Sequence, residues 1–385
     1  MLHGIKINEP TTGARPIMPI SAGIIGIVAT SEGEDLDEAT FPLDKPVLIT
    51  DVRGAIGRAG DTGTLKQALE AIADQTSPIL IVVRVAVATD GVDTDTDNIL
   101  EQNAAVIGTV TAQGAYTGAQ ALLAAEAQLG VRPRIIGAPG LDTQEVAAEL
   151  ALIAQKLRGF AYCRAVGDTV AEAITYRDEF AHRELMLIWP DFSEWTGQAV
   201  AIALGTRARI DQETGWHKSI SNVAINGATG LSHDVYFDLQ DETTDAGLLN
   251  SADVTTIVRM RGYRFWGNRT CSAEPLFAFE TVVRAGQAIK DACAEGLAWA
   301  VDKPLTPQTA RDIVETVNND IRRMVRAGQL IGGEAYFDAA QNPSHQLAAG
   351  KLTIEFDYTP VAPLEGLTIN MRITDRFYGD FGLSL

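Results

Sequence analysis

The apolar run PILIVVRVAV at 78–87 is the strongest strand signal in the chain, and the pattern around it constrains the fold most. Upstream, SAGIIGIVAT (21–30) and PVLIT (46–50) read as further strands. TLKQALEAIADQ (64–75) places Leu65, Leu69 and Ile72 at helical spacing. Downstream, an Ala-rich helix near 117–129 precedes the strand PRIIGAPG at 133–140. Asp142 and Glu145 have the spacing of a capping box. The helix they open carries Val146, Leu150, Ile153 and Leu157 on one face. FAYCRAV (160–166) is a strand, TVAEAITYRDEF (169–180) a helix, and ELMLIWP (184–190) a strand stopped by Pro190. A helix near 196–212 follows. Strands and helices alternating at this spacing give a mainly parallel sheet covered on both faces.

The two ends differ from this middle. Residues 1–20 are polar, carry Pro10, Pro16 and Pro19, and alternate Ile5 and Ile7 with Lys6 and Asn8. That is the period of a short strand on an arm. After about 250, DVTTIVRMRGYRFWGNRTC (253–271) reads as strands around a turn at Trp266 to Asn268. A long helix spans 306–329, and KLTIEFDYTPV (351–361) alternates like a half-buried strand. LEGLTINMRITDRF (364–377) holds one more alternating strand, with Leu367, Ile369, Met371 and Ile373 on one face. A lone terminal strand needs a sheet to join, in its own chain or in a neighbour.

Length and composition narrow the class. A chain of 385 residues exceeds the usual single core, so two or three domains are expected. With 31 Lys and Arg against 50 Asp and Glu, the net charge of -19 argues against a nucleic-acid coat. The acids cluster at 30–44, 89–101 and 234–253, which read as solvated loops. Cys163, Cys271 and Cys293 are too sparse for a disulfide scaffold and fit a reducing compartment. The first residues do not form a secretory signal, and no run of 18 apolar residues suggests a membrane span.

Motifs that carry chemistry are scarce. No G-x-S-x-G, H-E-x-x-H, C-x-x-C or Walker A pattern is present, and no cofactor or metal is expected. Asp93, Asp95 and Asp97 resemble the start of a calcium loop, but Asn98 and Ala104 stand where the pattern wants Gly and Glu. His182, His217 and His233 have neither metal spacing nor a nucleophile elbow nearby. The 306–329 helix carries Ile313, Val317, Ile321 and Met324 as an apolar stripe. Arg311, Arg322 and Arg326 fall opposite that stripe, with Arg323 at its flank. Arginines in the last turns also suit the negative helix end. A docking face for an acidic partner is the sharper reading.

The segments PRIIGAPGLDT (133–143), ELMLIWPDF (184–192), RGYRFWGNRTCS (261–272), NDIRRMVRAGQLIGG (319–333) and YTPVAPLEGLTINMRITDRFY (358–378) carry a family likeness. In order and spacing they resemble the contractile tail sheath proteins of P2-like bacteriophages and R-type pyocins. The resemblance implies a multidomain α/β chain. Its parts are a linking arm at 1–22, a non-catalytic subtilisin-like outer domain at 23–250, an α+β tube-facing domain at 251–361 and a second arm at 362–385. It implies stacked hexameric rings around a tail tube, tied by arms that add strands to neighbours, with contraction driving the tube through the bacterial envelope. The partners implied are further copies, the tube protein, and baseplate and terminator proteins, without nucleic acid or membrane insertion. Assembly would occur in the host cytoplasm and end in the virion tail. The tube-facing role falls on Arg311, Arg322, Arg323 and Arg326, and the arm strands on Ile5, Ile7, Leu367, Ile369, Met371 and Ile373. A related injection or secretion apparatus, an α/β hydrolase with an unrecognised triad, and a generic α/β binding protein remain as alternatives.

Overall fold

The computed structural model describes residues 23–88, 95–376 and 378. Ile5 and Ile7 lie outside them. The chain opens with β1 (Ile25–Thr30), β2 (Pro46–Ile49), α1 (Val52–Ile56), α2 (Leu65–Ala73) and β3 (Leu80–Val85). Next come α3 (Asp95–Ile107), α4 (Ala121–Leu129), β4 (Ile135–Gly137) and α5 (Gln144–Leu157). β5 (Phe160–Arg164), α6 (Val170–Arg177), β6 (Leu185–Ile188) and α7 (Gln198–Glu213) follow.

These strands form one sheet in the order β2-β3-β1-β4-β5-β6. Neighbouring pairs run parallel except β2 with β3. Alternation along each strand sorts side chains into two cores. Ile25, Ile27, Leu80 and Val82 enter one, beneath Leu65, Leu69 and Ile72 of α2 and Leu204 of α7. Val28, Ile81 and Val83 enter the other, with Leu122 of α4 and Val146 and Leu150 of α5. Each fully buried Leu or Ile contributes about 1.5–3 kcal/mol. Packing is tight at β1, where a Cβ on Gly26 would lie 2.8 Å from Pro133 Cβ.

After α8 (Asp245–Ser251), the hairpin β7 (Thr256–Arg259) and β8 (Tyr263–Trp266) leans on this sheet. Ile257 and Phe265 belong to its first core, Val254 and Cys271 to its second. Then come α9 (Glu280–Gly296), α10 (Pro307–Arg326), β9 (Leu330–Tyr336), α11 (Ser344–Ala348) and β10 (Glu355–Pro360). β9 and β10 make a two-stranded antiparallel sheet. Val317 and Ile321 of α10 pack with Ala335, Ile354 and Phe356, forming a small separate core.

Four expectations are corrected. The capping box at Asp142 and Glu145 does not form. Asp142 is fully buried and accepts the Arg164 backbone N–H at 2.5 Å and its Nε at 3.0 Å. Thr143 takes the N-cap position without a side-chain cap bond, and Glu145 instead accepts from Asn103. A tertiary ion pair has outcompeted a local motif. A working cap appears at Thr169, whose hydroxyl accepts from the Glu172 N–H.

Second, the hairpin turns at Met260 to Gly262 rather than at Trp266 to Asn268, because Arg259 pairs with Tyr263. Arg261 and Gly262, at φ 54 and 101, supply the left-handed turn. Third, the acidic 89–101 stretch is not all loop, since α3 begins at Asp95. Fourth, residues 364–375 form no strand among the described residues.

Candidate interaction surfaces

α10 is set by its ends and its stripe. Thr306 caps it by accepting the Thr309 N–H at 3.1 Å, and Pro307 occupies the first turn. Val317, Ile321 and Met324 are buried, while Ile313 is half-buried. Arg311, Arg322, Arg323 and Arg326 are all exposed. Arg322 pairs with Glu315 at 2.5 Å, and Arg323 donates to Asp320 at 2.9 Å. Arg326 donates to the Arg322 carbonyl, and Arg311 to Gln308. Exposed pairs of this kind contribute about 0–1 kcal/mol, so they leave the guanidiniums open to competition. Arg322 and Arg326 stand together, whereas Arg311 lies about 16 Å along the axis. There Arg311 edges an apolar groove of 870 Å³ with Val314, Phe337, Leu347 and Leu352. Arg323 turns instead towards a cavity beside α9.

The C-terminal segment leaves the body at a clamp. Arg269 Nε and Nη2 donate to the two Glu365 oxygens, each at 2.8 Å, and Arg269 also faces Asp253 at 3.4 Å. Beyond it, Leu367, Ile369, Met371 and Ile373 are 71%, 79%, 91% and 101% exposed. Four alternating apolar side chains in water are a surface that has yet to be covered. Within the described residues, β9 and β10 pair only with each other; the Asn318 amide of α10 occupies the outer edge of β9 at Ala335, which leaves the outer edge of β10 without a strand partner.

The histidines do not converge on a catalytic arrangement. Ser232 Oγ lies 3.0 Å from His233 Nδ1, and His233 stacks on Trp189. Among the described residues, no carboxylate hydrogen-bonds to that ring, and no group of three His, Cys, Asp or Glu could hold a metal. No described helix is long and apolar enough to cross a membrane. Burial pushes the Cys271 thiol up to about 12 and the Cys293 thiol up to about 11.

Sequence reasoning missed a buried ionic network joining the sheet to α9. Arg207, fully buried on α7, pairs with Asp211 at 2.7 Å and with Glu280 of α9 at 3.1 Å. Tyr162 of β5 donates to Glu280 at 2.5 Å. Arg284 of α9 pairs with Asp211, and Asp291 pairs with Arg134 and Arg158. The available signal was Arg207 and Asp211 at i,i+4 in a helix otherwise apolar through Leu204.

Three family profiles match segments of the chain. The phage tail sheath central domain matches residues 114–271, the tail sheath C-terminal domain 272–374, and the N-terminal region of tail sheath Gp18 domain III 22–85. The tail sheath protein of Escherichia phage P2 is 49% identical over 393 residues, covering 100% of this chain and 98% of that protein. The chain belongs to the phage tail sheath family.

The major tail sheath protein of Serratia phage KSP20 is 45% identical, covering 98% of this sheath chain and 96% of its own. Two solved structures share the fold at low identity. The sheath of an extracellular contractile injection system, PVC, in the contracted state has a TM-score of 0.71 at 15% identity, covering 98% of this chain and 99% of that one. The contracted helical sheath of the anti-feeding prophage has 0.70 at 17%, covering 97% and 99%. The sheath protein is a structural subunit of a contractile sheath with a mixed α/β multidomain fold. Its six-stranded sheet draws β1–β3 from one profile and β4–β6 from another, with α3 in the unmatched stretch between them.

Proposed function

We propose that this subunit assembles as stacked hexameric rings around a tail tube and shortens to drive that tube through a bacterial envelope. The observation that carries the reading is that an exposed alternating segment at 367–373 occurs with a two-stranded sheet in which β10 has an outer edge without a strand partner. A strand from one copy completing the sheet of the next links subunits by main-chain hydrogen bonds, which tolerate rigid-body shifts of the domains they join. Ile5 and Ile7 take the same role for the N-terminal arm, outside the described residues. Residues 1–22 and 362–385 are the linking arms on this reading. The hairpin β7–β8 travels with the subtilisin-like outer domain at 23–250, because its side chains share that core. α9 bridges the two domains, with Val283 in the outer core and Ile289 and Ala292 packed beside Met324, so the tube-facing domain takes over within α9, inside the 251–361 span.

The partners are further copies, the tube protein, and the baseplate and terminator proteins, with no nucleic acid contact and no membrane insertion. Assembly takes place in the host cytoplasm and the product is the virion tail. Contraction draws on the free-energy difference between two lattices rather than on a nucleotide. Electron microscopy of the purified full chain tests the reading. A sixfold helical tube with terminal segments inserted in adjacent subunits is the expected image. A compact monomer at high concentration would sink it.

Arg322, Arg326 and, further along, Arg311 supply the tube-facing charge, while Arg323 faces the cavity beside α9. The double variant Arg322→Glu/Arg326→Glu is expected to fold with an unchanged melting temperature. Co-assembly with tube should fall by about tenfold or more, since each reversed contact trades attraction for repulsion. Undiminished co-assembly would remove these residues from the tube face and leave the fold reading intact.

A further inference from the structure

α7, α9, α10 and the loop at Thr214–Trp216 enclose a cavity of 290 Å³ that reaches Gly23 at the base of β1. Its charged walls are Arg134, Arg158, Arg284 and Arg323, faced by Asp211 and Asp291, with Gln212, Gln287 and Gln329 among its neutral polar ones. The charges around it do not balance. Arg134, Arg158, Arg207 and Arg284 share only three carboxylates, Asp211, Glu280 and Asp291. Arg323 is matched by its own Asp320.

The donors are in surplus too. Arg284 is 4% exposed, yet its Nη1 has no acceptor, and neither has the Nε of the fully buried Arg207. An unmatched buried guanidinium donor is costly, and the least costly remedy is an acceptor that also carries negative charge. Neutral solvent would meet the donors but leave the charge surplus.

We propose that this cavity binds a small oxyanion of the phosphate class. The ion would be held by guanidiniums from three places: Arg134 and Arg158 beside the sheet, Arg284 on α9, and Arg323 on α10. It would therefore brace the sheet against the C-terminal unit. Nothing in this proposal depends on how subunits assemble.

The test is thermal unfolding of the full chain in inorganic phosphate against chloride at matched ionic strength. A saturable rise in melting temperature below about 10 mM phosphate is expected, as mass action requires of a ligand specific for the folded state. Arg158→Gln leaves Asp291 paired with Arg134 and should shift the midpoint of that rise at least about tenfold upward. Ala288→Glu places a tethered carboxylate on the cavity wall. That variant should melt higher than the parent in chloride and lose its response to phosphate. A parent chain indifferent to phosphate, or an Arg158→Gln chain with an unshifted midpoint, overturns the proposal. So does an Ala288→Glu chain that folds and keeps the full response.

Discussion

Truncation after Gly366 is expected to yield a folded monomer that no longer builds a sheath. Leu367, Ile369, Met371 and Ile373 are 71–101% exposed, so their removal takes no packing from the body. The Arg269–Glu365 clamp is retained, so the chain up to that point keeps its path. On the proposed linkage, what is lost is a strand for a neighbour's sheet. A net 0.5–1.5 kcal/mol or so for each main-chain bond makes several kcal/mol per contact, and covering four apolar side chains adds comparable free energy. Subunit association should weaken by about a hundredfold or more, on the rule that 1.4 kcal/mol is tenfold. Sedimentation and electron microscopy would read the assembly, and circular dichroism the monomer. A truncated chain that still forms long tubes would show that the linkage lies elsewhere.

Glu280→Ala is expected to be the most damaging single substitution at the junction. Glu280 is fully buried and takes both Arg207 and the Tyr162 hydroxyl. Removing it leaves Arg207 to Asp211 alone, which Arg284 also claims. Breaking one partner of a buried pair costs about 3–5 kcal/mol, because a desolvated charge is left behind. That is a large share of the 5–15 kcal/mol or so that a domain possesses. Replacing both partners, as Arg207→Met/Glu280→Leu, should recover part of the loss. Urea denaturation of the single and double variants closes the cycle. A loss below about 1 kcal/mol for Glu280→Ala would mean that water reaches the site and the network is not load-carrying.

Much of the sheet was legible because period and length agreed. β1 and β3 read as strands from β-branched runs, and every residue of both is buried. The α5 positions Val146, Leu150, Ile153 and Leu157 are buried as the helical period requires. The failures share one cause, that local spacing is silent about distant partners. Asp142 met the spacing of a cap, but Arg164 holds it 22 residues away. Gly262 and Gly267 both adopt φ above 100, at 101 and 144, so composition could not say which one turns the hairpin. Strand register decides it, through Thr256 with Trp266. The α10 stripe was readable, but the separation of Arg323 from Arg322 was not. Neighbours in sequence can face different clefts once α9 packs alongside. At the C-terminal segment the alternation was legible, but among the described residues it forms no strand.

The placement of β1 has a mechanical consequence. Just after Gly23 the chain enters a strand bonded on both sides, to β3 over residues 25–30 and to β4 over residues 25–27. A pull along that strand loads these rungs in shear, all at once, rather than peeling them one after another. Rupture under force is set by the unfolding barrier, not by equilibrium stability. On the proposed linkage through the N-terminal arm, a sudden stroke would enter the subunit at this doubly bonded strand.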